Sequence, residues 1–319
     1  MSSYIIRRLL LMIPTVFFVT LMVFTTIRLV PGSVIDIMVA NYGTFGTVTE
    51  TDKQAIEHAL GMDVPIVVQY GRWINRIAHG DLGTALWKQT PVIESIEARW
   101  SVTFELGLLA LIIAQLISIP IGIYSALRQN TWGDYLARSF SILCIAVPSF
   151  WMATLVIVYP SIWWGYMPSL TLIRFGINPL GNLKMFIIPA IILGMSMSGG
   201  TARLTRTMML EVMRQDYIRT AWQKGLRERT VVIRHALKNA LIPIITIIGY
   251  QVPVLIGGTV IIESIFSLPG MGLLTINAIN TRDYITLEAV LLLYAIALVF
   301  INLVTDLTYG FVDPRIHYN

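Results

Sequence analysis

Apolar residues along this chain come in long blocks separated by shorter polar segments. A bilayer core of about 30 Å takes about 20 mostly apolar residues per helix. Six blocks reach that length, near 9 to 30, 103 to 126, 138 to 160, 185 to 204, 241 to 264 and 288 to 309. The pattern predicts an all-α integral membrane protein with six transmembrane helices. The first block follows Arg7 and Arg8, as the apolar part of a signal peptide would. It runs from Leu9 to Ile27 with no A-x-A site behind it, so it reads as a retained helix. Pro14, Pro148, Pro189 and Pro253 fall inside the blocks. Neighbouring helices can satisfy the carbonyls they free, so kinks are expected there and not breaks.

Composition removes the main alternative. Of 319 residues, 55% are hydrophobic and only 13% charged, with a mean hydropathy of +0.71. Soluble domains carry about 25% charged residues, so a water-soluble fold is excluded. The single cysteine, Cys144, excludes disulfides, a cysteine zinc site and an iron–sulfur cluster. His58, His79, His235 and His317 are too scattered to suggest a metal site.

Charge orients the spans. The segments holding Arg7 and Arg8, Arg128 and Arg138, the stretch 203 to 238, and Arg315 contain 14 of the 23 basic residues. The alternate segments 31 to 100, 160 to 184 and 265 to 287 hold eight, although they are longer in total. By the positive-inside rule both termini and the 203 to 238 loop are cytoplasmic. The formal charge of +5 then reflects topology, and no nucleic-acid partner is implied.

Two segments outside the spans are long enough to have structure of their own. In the extracytoplasmic segment 31 to 100, Thr51 to Leu60 reads as a short helix capped by Thr51 and stopped by Gly61. Val64 to Ala78 reads as a second, with Val67, Tyr70, Ile74 and Ile77 on one face. Gly80-Asp81-Leu82-Gly83-Thr84 reads as a turn. In the cytoplasmic loop, at 205 to 240, Asp216 to Lys224 suits a short helix with an acid at its start and a base at its end. Gly225 offers the left-handed position that ends it. A second short helix is expected from near Glu228 through Val232, Ile233, Ala236 and Leu237, with Arg229, Arg234 and Lys238 facing water. Two such amphipathic helices call for either a protein partner or an anionic lipid surface.

The loop resembles the EAA loop of permease subunits of binding-protein-dependent ABC importers. Arg219-Thr220-Ala221 followed by Gly225 matches the E-A-A-x-x-x-G core, with Arg and Thr in its first two places. The family's Leu-Pro is not matched: Leu237-Lys238 stands there and the proline is Pro243. The string from Asp216 to Leu226 is similar to the peptide/nickel branch. So are Ile6-Arg7-Arg8-Leu9 to Pro14, the Gly80-Asp81-Leu82-Gly83 turn, Phe266-Ser267-Leu268-Pro269-Gly270-Met271-Gly272, and Asp313-Pro314-Arg315. The resemblance spans the chain and implies one permease domain, 1 to 319, of the type I importer fold with short cytoplasmic coupling helices. It implies a second homologous permease subunit, two ATPase subunits and an extracytoplasmic substrate-binding protein as partners, in the cytoplasmic (inner) membrane of a prokaryote. ATP and Mg are expected on the ATPases, because this chain has no G-x-x-x-x-G-K-[ST] and no cofactor of its own. Asp216, Tyr217, Arg219, Thr220, Ala221, Lys224 and Gly225 are expected to couple the ATPase to the spans, Gly225 fixing the turn and Ala221 allowing close approach. The segment 31 to 100 and the loop with Pro269 are the expected docking surface for the binding protein. Di- or oligopeptides are the implied cargo; nickel chelates, glutathione, opines and oligosaccharides use similar permeases.

Span five carries Thr246, Tyr250 and Gln251, polar groups that at membrane depth face a cavity or bundle interior, so they are the candidate pathway residues. Gly257 and Gly258 are expected to serve close helix packing. Glu263, Glu105, Glu288 and Asp306 lie near span ends, where solvation at the interface is expected. Catalysis is not expected: Ser196 and Ser198 have no histidine at membrane depth to activate them. A stand-alone secondary transporter would show repeated halves or ionisable residues at the membrane centre, and neither is evident.

Overall fold

The computed structural model describes residues 2–29, 58, 61, 63–165 and 171–312, with side chains throughout except at 2–9, 254, 258 and 306–312. The chain there is helical: α1 (Ser2–Leu29), α2 (Ile66–Ala78), α3 (Val92–Leu127), α4 (Trp132–Ala146), α5 (Ser149–Trp164), α6 (Pro179–Met213), α7 (Asp216–Gln223), α8 (Lys238–Phe266), α9 (Met271–Asn280) and α10 (Tyr284–Val312). One helical turn, Glu228–Thr230, and a π-helical segment, Val231–Leu237, lead without a break into α8. Among the described residues the one β pairing is an isolated bridge between Thr84 and Pro91.

Five stretches are long and apolar enough to cross a membrane: Leu10–Leu29, Val92–Leu127, Pro179–Met213, Glu228–Gly257 and Tyr284–Thr305. They are the expected spans one, two, four, five and six. The expected third, 138 to 160, is instead a pair of helices, α4 and α5, bent by 90°. Its cause is Pro148. Val147 takes the extended conformation that a following proline favours, and Pro148, which has no N–H, becomes the N-cap of α5. Pro148 therefore breaks its span, whereas Pro14, Pro189 and Pro253 stay inside continuous helices.

Lipid tails are as apolar as leucine, so helices in a bilayer are held by close approach more than by the hydrophobic effect. That approach occurs between α3 and α6. A Cβ on Gly194 would stand 2.8 Å from the Ala110 carbonyl oxygen, and one on Gly122 would meet the Thr205 side chain. Leu106, Phe186, Ile262 and Leu268, all fully buried, fill the layer where α3, α6 and α8 meet. Gly257 packs on no helix of this chain, since a Cβ there would meet nothing within 4 Å. The side of Gly258 lies outside the described residues.

In the segment between α1 and α3, α2 forms as expected but with a different inner face. Tyr70, Trp73, Ile74 and Ile77 pack on Phe24 of α1 and Leu292 of α10, while Val67 is 80% exposed. The Tyr70 hydroxyl lies 2.9 Å from that of Thr20, which joins α2 to α1. Gly80 and Gly83 both have positive φ, and the Asp81 carboxylate accepts the Gly83 N–H, as a turn at 80 to 83 requires. The helix expected at Thr51 to Leu60 lies outside the described residues apart from His58. Gly61, its expected stop, has φ +65.

Candidate functional site

The loop between α6 and α8 is shorter and better anchored than its sequence suggests. Asp216 stands in the first turn of α7, where a negative charge complements the helix dipole. At the other end the chain makes a Schellman stop: Gly225 has φ +75, its N–H donates to the Trp222 carbonyl, and the Leu226 N–H reaches back to the Ala221 carbonyl. A Cβ on Gly225 would meet nothing within 4 Å, so the glycine is needed for its backbone conformation and not for space.

One face of α7 packs on its own chain. Ile218 (fully buried) and Ala221 sit against Met209 of α6, Ala126 of α3, and Val231, Val232 and Ala236 of the π turn. The opposite face is open: Asp216, Tyr217, Arg219, Thr220 and Lys224 are exposed, together with Trp222 and Leu226. Six of the seven expected coupling residues, Gly225 included, are thus exposed. Ala221 is the exception, because the close approach it allows is to helices of this chain. Local bonds hold the open face in shape. Thr220 donates to the Asp216 carbonyl, Arg219 lies 3.7 Å from the Asp216 carboxylate, and Asn239 of α8 donates to the Tyr217 hydroxyl at 3.0 Å. Ile218, Trp222 and Leu226 were passed over in the sequence. By spacing Ile218, Ala221 and Trp222 share one face, so the 41% exposure of Trp222 is not legible from the sequence.

The second short helix is not a separate element. Its residues form the Glu228 turn and the π segment, the first part of the helix that becomes span five. Arg229, Arg234 and Lys238 are exposed as expected, but Ile233 is 51% exposed and Val231 takes the buried place. A π segment bonds i to i+5, so its face does not follow the 3.6-residue period.

Beside the loop lies a buried charge pair that the sequence does not announce. Asp134, fully buried in the first turn of α4, receives two bonds of 2.9 Å from the Arg206 guanidinium of α6, one to each carboxylate oxygen. Ser125 of α3 and the Asn130 N–H also donate to it. Four bonds on one carboxylate tie α3, α4 and α6 together at the end that carries α7.

At membrane depth Gln251 is the polar centre. Its amide nitrogen donates to the Met197 carbonyl and the Thr201 hydroxyl of α6, and its oxygen accepts from Gln115 of α3. Gln251 therefore joins three spans. Thr246 donates to its own helix at Ile242, and Tyr250 is 62% exposed, turned away from that junction. A cavity of about 310 Å³ between α3, α8 and α10 is almost wholly apolar, lined by Phe104, Leu108, Leu255, Ile256 and Phe300 among others, and does not reach Gln251.

Two of the carboxylates expected at the interface are buried instead. Glu263 is fully buried and accepts from Thr103 and from the Leu273 N–H. Glu288, 4% exposed, pairs with Arg28 of α1, whose guanidinium also bonds Gln69 and stands 4.3 Å over the Phe24 ring. Arg28 and Thr103 satisfy these groups from other spans, which is why burial is tolerated. Glu105 is partly exposed, and the side chain of Asp306 lies outside the described residues. Among the described residues no three metal-ligating groups come together.

Solved structures share the fold: the MetNI methionine ABC transporter, in inward-facing conformations (TM-score 0.53, 14% identity, 66% of this chain and 93% of that one), and an amino acid ABC transporter crystallised with histidines (TM-score 0.51, 14% identity, 75% and 97%). Residues 118–318 match the family described as binding-protein-dependent transport system inner membrane component, and residues 1–107 match the N-terminal family of the same transport systems. The chain belongs to this family. Relatives similar along their whole length include a putative peptide transport system permease protein of Brucella suis (39% identity, 100% of both chains). The oligopeptide transport system permease protein AppB of Bacillus subtilis is 36% identical over 100% of both chains. The dipeptide transport system permease protein DppB of Escherichia coli K12 is 36% identical over 100% of this chain and 99% of its own.

Proposed function

We propose that this chain is one of two permease subunits in an ATP-driven importer of di- or oligopeptides, working with two ATPase subunits and an extracytoplasmic binding protein. The observation that carries the reading is the coupling helix. One face of α7 is fixed to the ends of α3 and α6 and to the start of α8, and the other presents Asp216, Tyr217, Arg219, Thr220 and Lys224 outward. A rigid helix held in this way passes a push from outside to three spans at once. ATP and Mg belong on the ATPases, whose closure supplies that push. Trp222 and Leu226 add an apolar centre to the outward face, and the charges around it set orientation more than affinity. Basic residues gathered at the termini and the loop support a cytoplasmic placing of both. Gln251, bonded to two neighbouring spans, is the polar group at membrane depth that supports a pathway along span five, with Thr246 and Tyr250 on the same helix. The cargo follows the relatives, which are named for peptides.

The test is purification from the native membrane, followed by ATPase and uptake assays of the wild type, Tyr217→Ala and Arg219→Glu. The expected result is that ATPase subunits co-purify with the wild type, that labelled di- and tripeptides are taken up, and that both variants lose hydrolysis-coupled uptake while keeping wild-type abundance. A chain that transports when purified alone would overturn the importer reading. Uptake of nickel chelates in place of peptides would overturn the cargo alone.

A further inference from the structure

Glu263 is a fully buried carboxylate at the outer end of span five, in the bend between two helices. The last turns of α8, Thr259–Phe266, and α9 meet at 81°. One Glu263 oxygen accepts the Leu273 N–H at 3.1 Å, in the first turn of α9, where the helix dipole favours an anion. Gly270 and Gly272 leave the room for it, since a Cβ on either would run into the carboxylate. These interactions lie within the bent pair and fix its angle.

The other Glu263 oxygen accepts the Thr103 hydroxyl at 2.7 Å, and the same hydroxyl oxygen accepts the Met271 N–H at 2.8 Å. Thr103 belongs to α3, a different span. One hydroxyl therefore provides both hydrogen bonds between α3 and the bent pair, and the Arg99 guanidinium of α3 adds a longer-range attraction to Glu263. Parting Thr103 from the pair takes one donor from the buried carboxylate and the acceptor from the Met271 N–H, and it opens the apolar layer of Val102, Leu106, Ile262 and Leu268. The bent pair also carries the outer surface with it. Met271 and Leu274 pack on Ala85, and the Leu86 N–H donates to Asp283 just after α9.

We propose that this bent pair is an outer gate, kept rigid by Glu263 and latched to α3 through Thr103, with both as positioning residues for transport. The proposal rests on the importer reading above. The latch holds the gate shut, and binding-protein docking on the 84–91 turn works against it.

The test uses the complete transporter in proteoliposomes, with hydrolysis measured with and without the loaded binding protein. Losing the latch shifts the population toward the open gate, so Thr103→Val is expected to raise hydrolysis without binding protein about three- to tenfold and to lower uptake per ATP. Thr103→Ser, which keeps the hydroxyl, should behave as wild type, and Glu263→Gln should shift hydrolysis in the same direction as Thr103→Val. The second measurement is the distance between spin labels at Glu97→Cys on α3 and Ile279→Cys on α9, in a Cys144→Ala background. It is expected to change when ATP and binding protein trap the complex. An unchanged distance, or a Thr103→Val protein with wild-type hydrolysis and coupling, overturns the gate alone. A wild-type preparation that lacks ATPase subunits overturns the importer reading and the gate with it.

Discussion

The two membrane faces hold buried carboxylates in different ways. At the end that carries α7, Asp134 meets the side edge of a guanidinium, with two parallel bonds and two further donors. At the end that carries α9, Glu263 meets hydroxyl and amide donors, and Arg99 attracts it from beyond ion-pair distance. An ion pair of that kind is costly to open once buried, because each partner is left charged and unpaired. A carboxylate held by neutral donors can exchange one of them at about the cost of a single hydrogen bond. The α7 end is thus the costlier of the two to open.

Five substitutions test that contrast, from the largest effect down. Arg206→Ala strands Asp134 inside the bundle and should cost about 3–5 kcal/mol, read as early melting in detergent and loss of the chain from the membrane. The Asp134→Ala, Arg206→Ala double variant should be less damaged than the sum of the singles; strict additivity would mean the clamp holds nothing. Arg28→Ala leaves Glu288 nearly buried but with α1 at the bundle edge to relax, so about 1–3 kcal/mol is expected, checked by the same melt. Gly225→Ala forces a left-handed alanine at roughly 1–2 kcal/mol. Melting should fall slightly while uptake per ATP falls more, since the strain sits in the lever. Asp63→Asn is last. The hydrogen bond to His58 holds the Asp63 carboxyl below its usual range. Any stability it lends is present above the ordinary carboxylate pKa and lost as pH falls through the lowered one. Both side chains are in water, so an unchanged melting curve from pH 7 down to mildly acid is expected; a drop specific to the wild type would show that the pair matters.

Much of the fold was legible because lipid imposes a length on apolar runs, and the five long helices fall where the runs do. The break at Val147-Pro148 was not legible: Pro189 and Pro253 sit in equally apolar runs and leave their helices whole. The residues Val232, Ile233, Ala236 and Leu237 fit an amphipathic surface helix and the foot of a span equally well, and only the continuity of the backbone decides between them. Gly225 was readable from its own neighbourhood, since a helix stop is a local device. Asp134, Glu263 and Glu288 were not, because their partners lie 72, 160 and 260 positions away. A charge at a span end looks solvated until another helix covers it. For the same reason Gly257, marked for packing, meets no helix of this chain, while Gly122 and Gly194, which do meet a neighbour, carried no mark of it.

The π segment at Val231–Leu237 makes the chain unequally tolerant of length changes. A π turn holds one residue more than the α turn it replaces. Removing a single residue within it, the exposed Arg234 for instance, lets the backbone close as ordinary α-helix and leaves the heading of everything downstream where it was. Removing one residue a turn further on, within α8, swings Gln251 by about 100° around the helix axis, away from Gln115 and Thr201. Span five therefore has a register that is adjustable at its foot and fixed along its shaft.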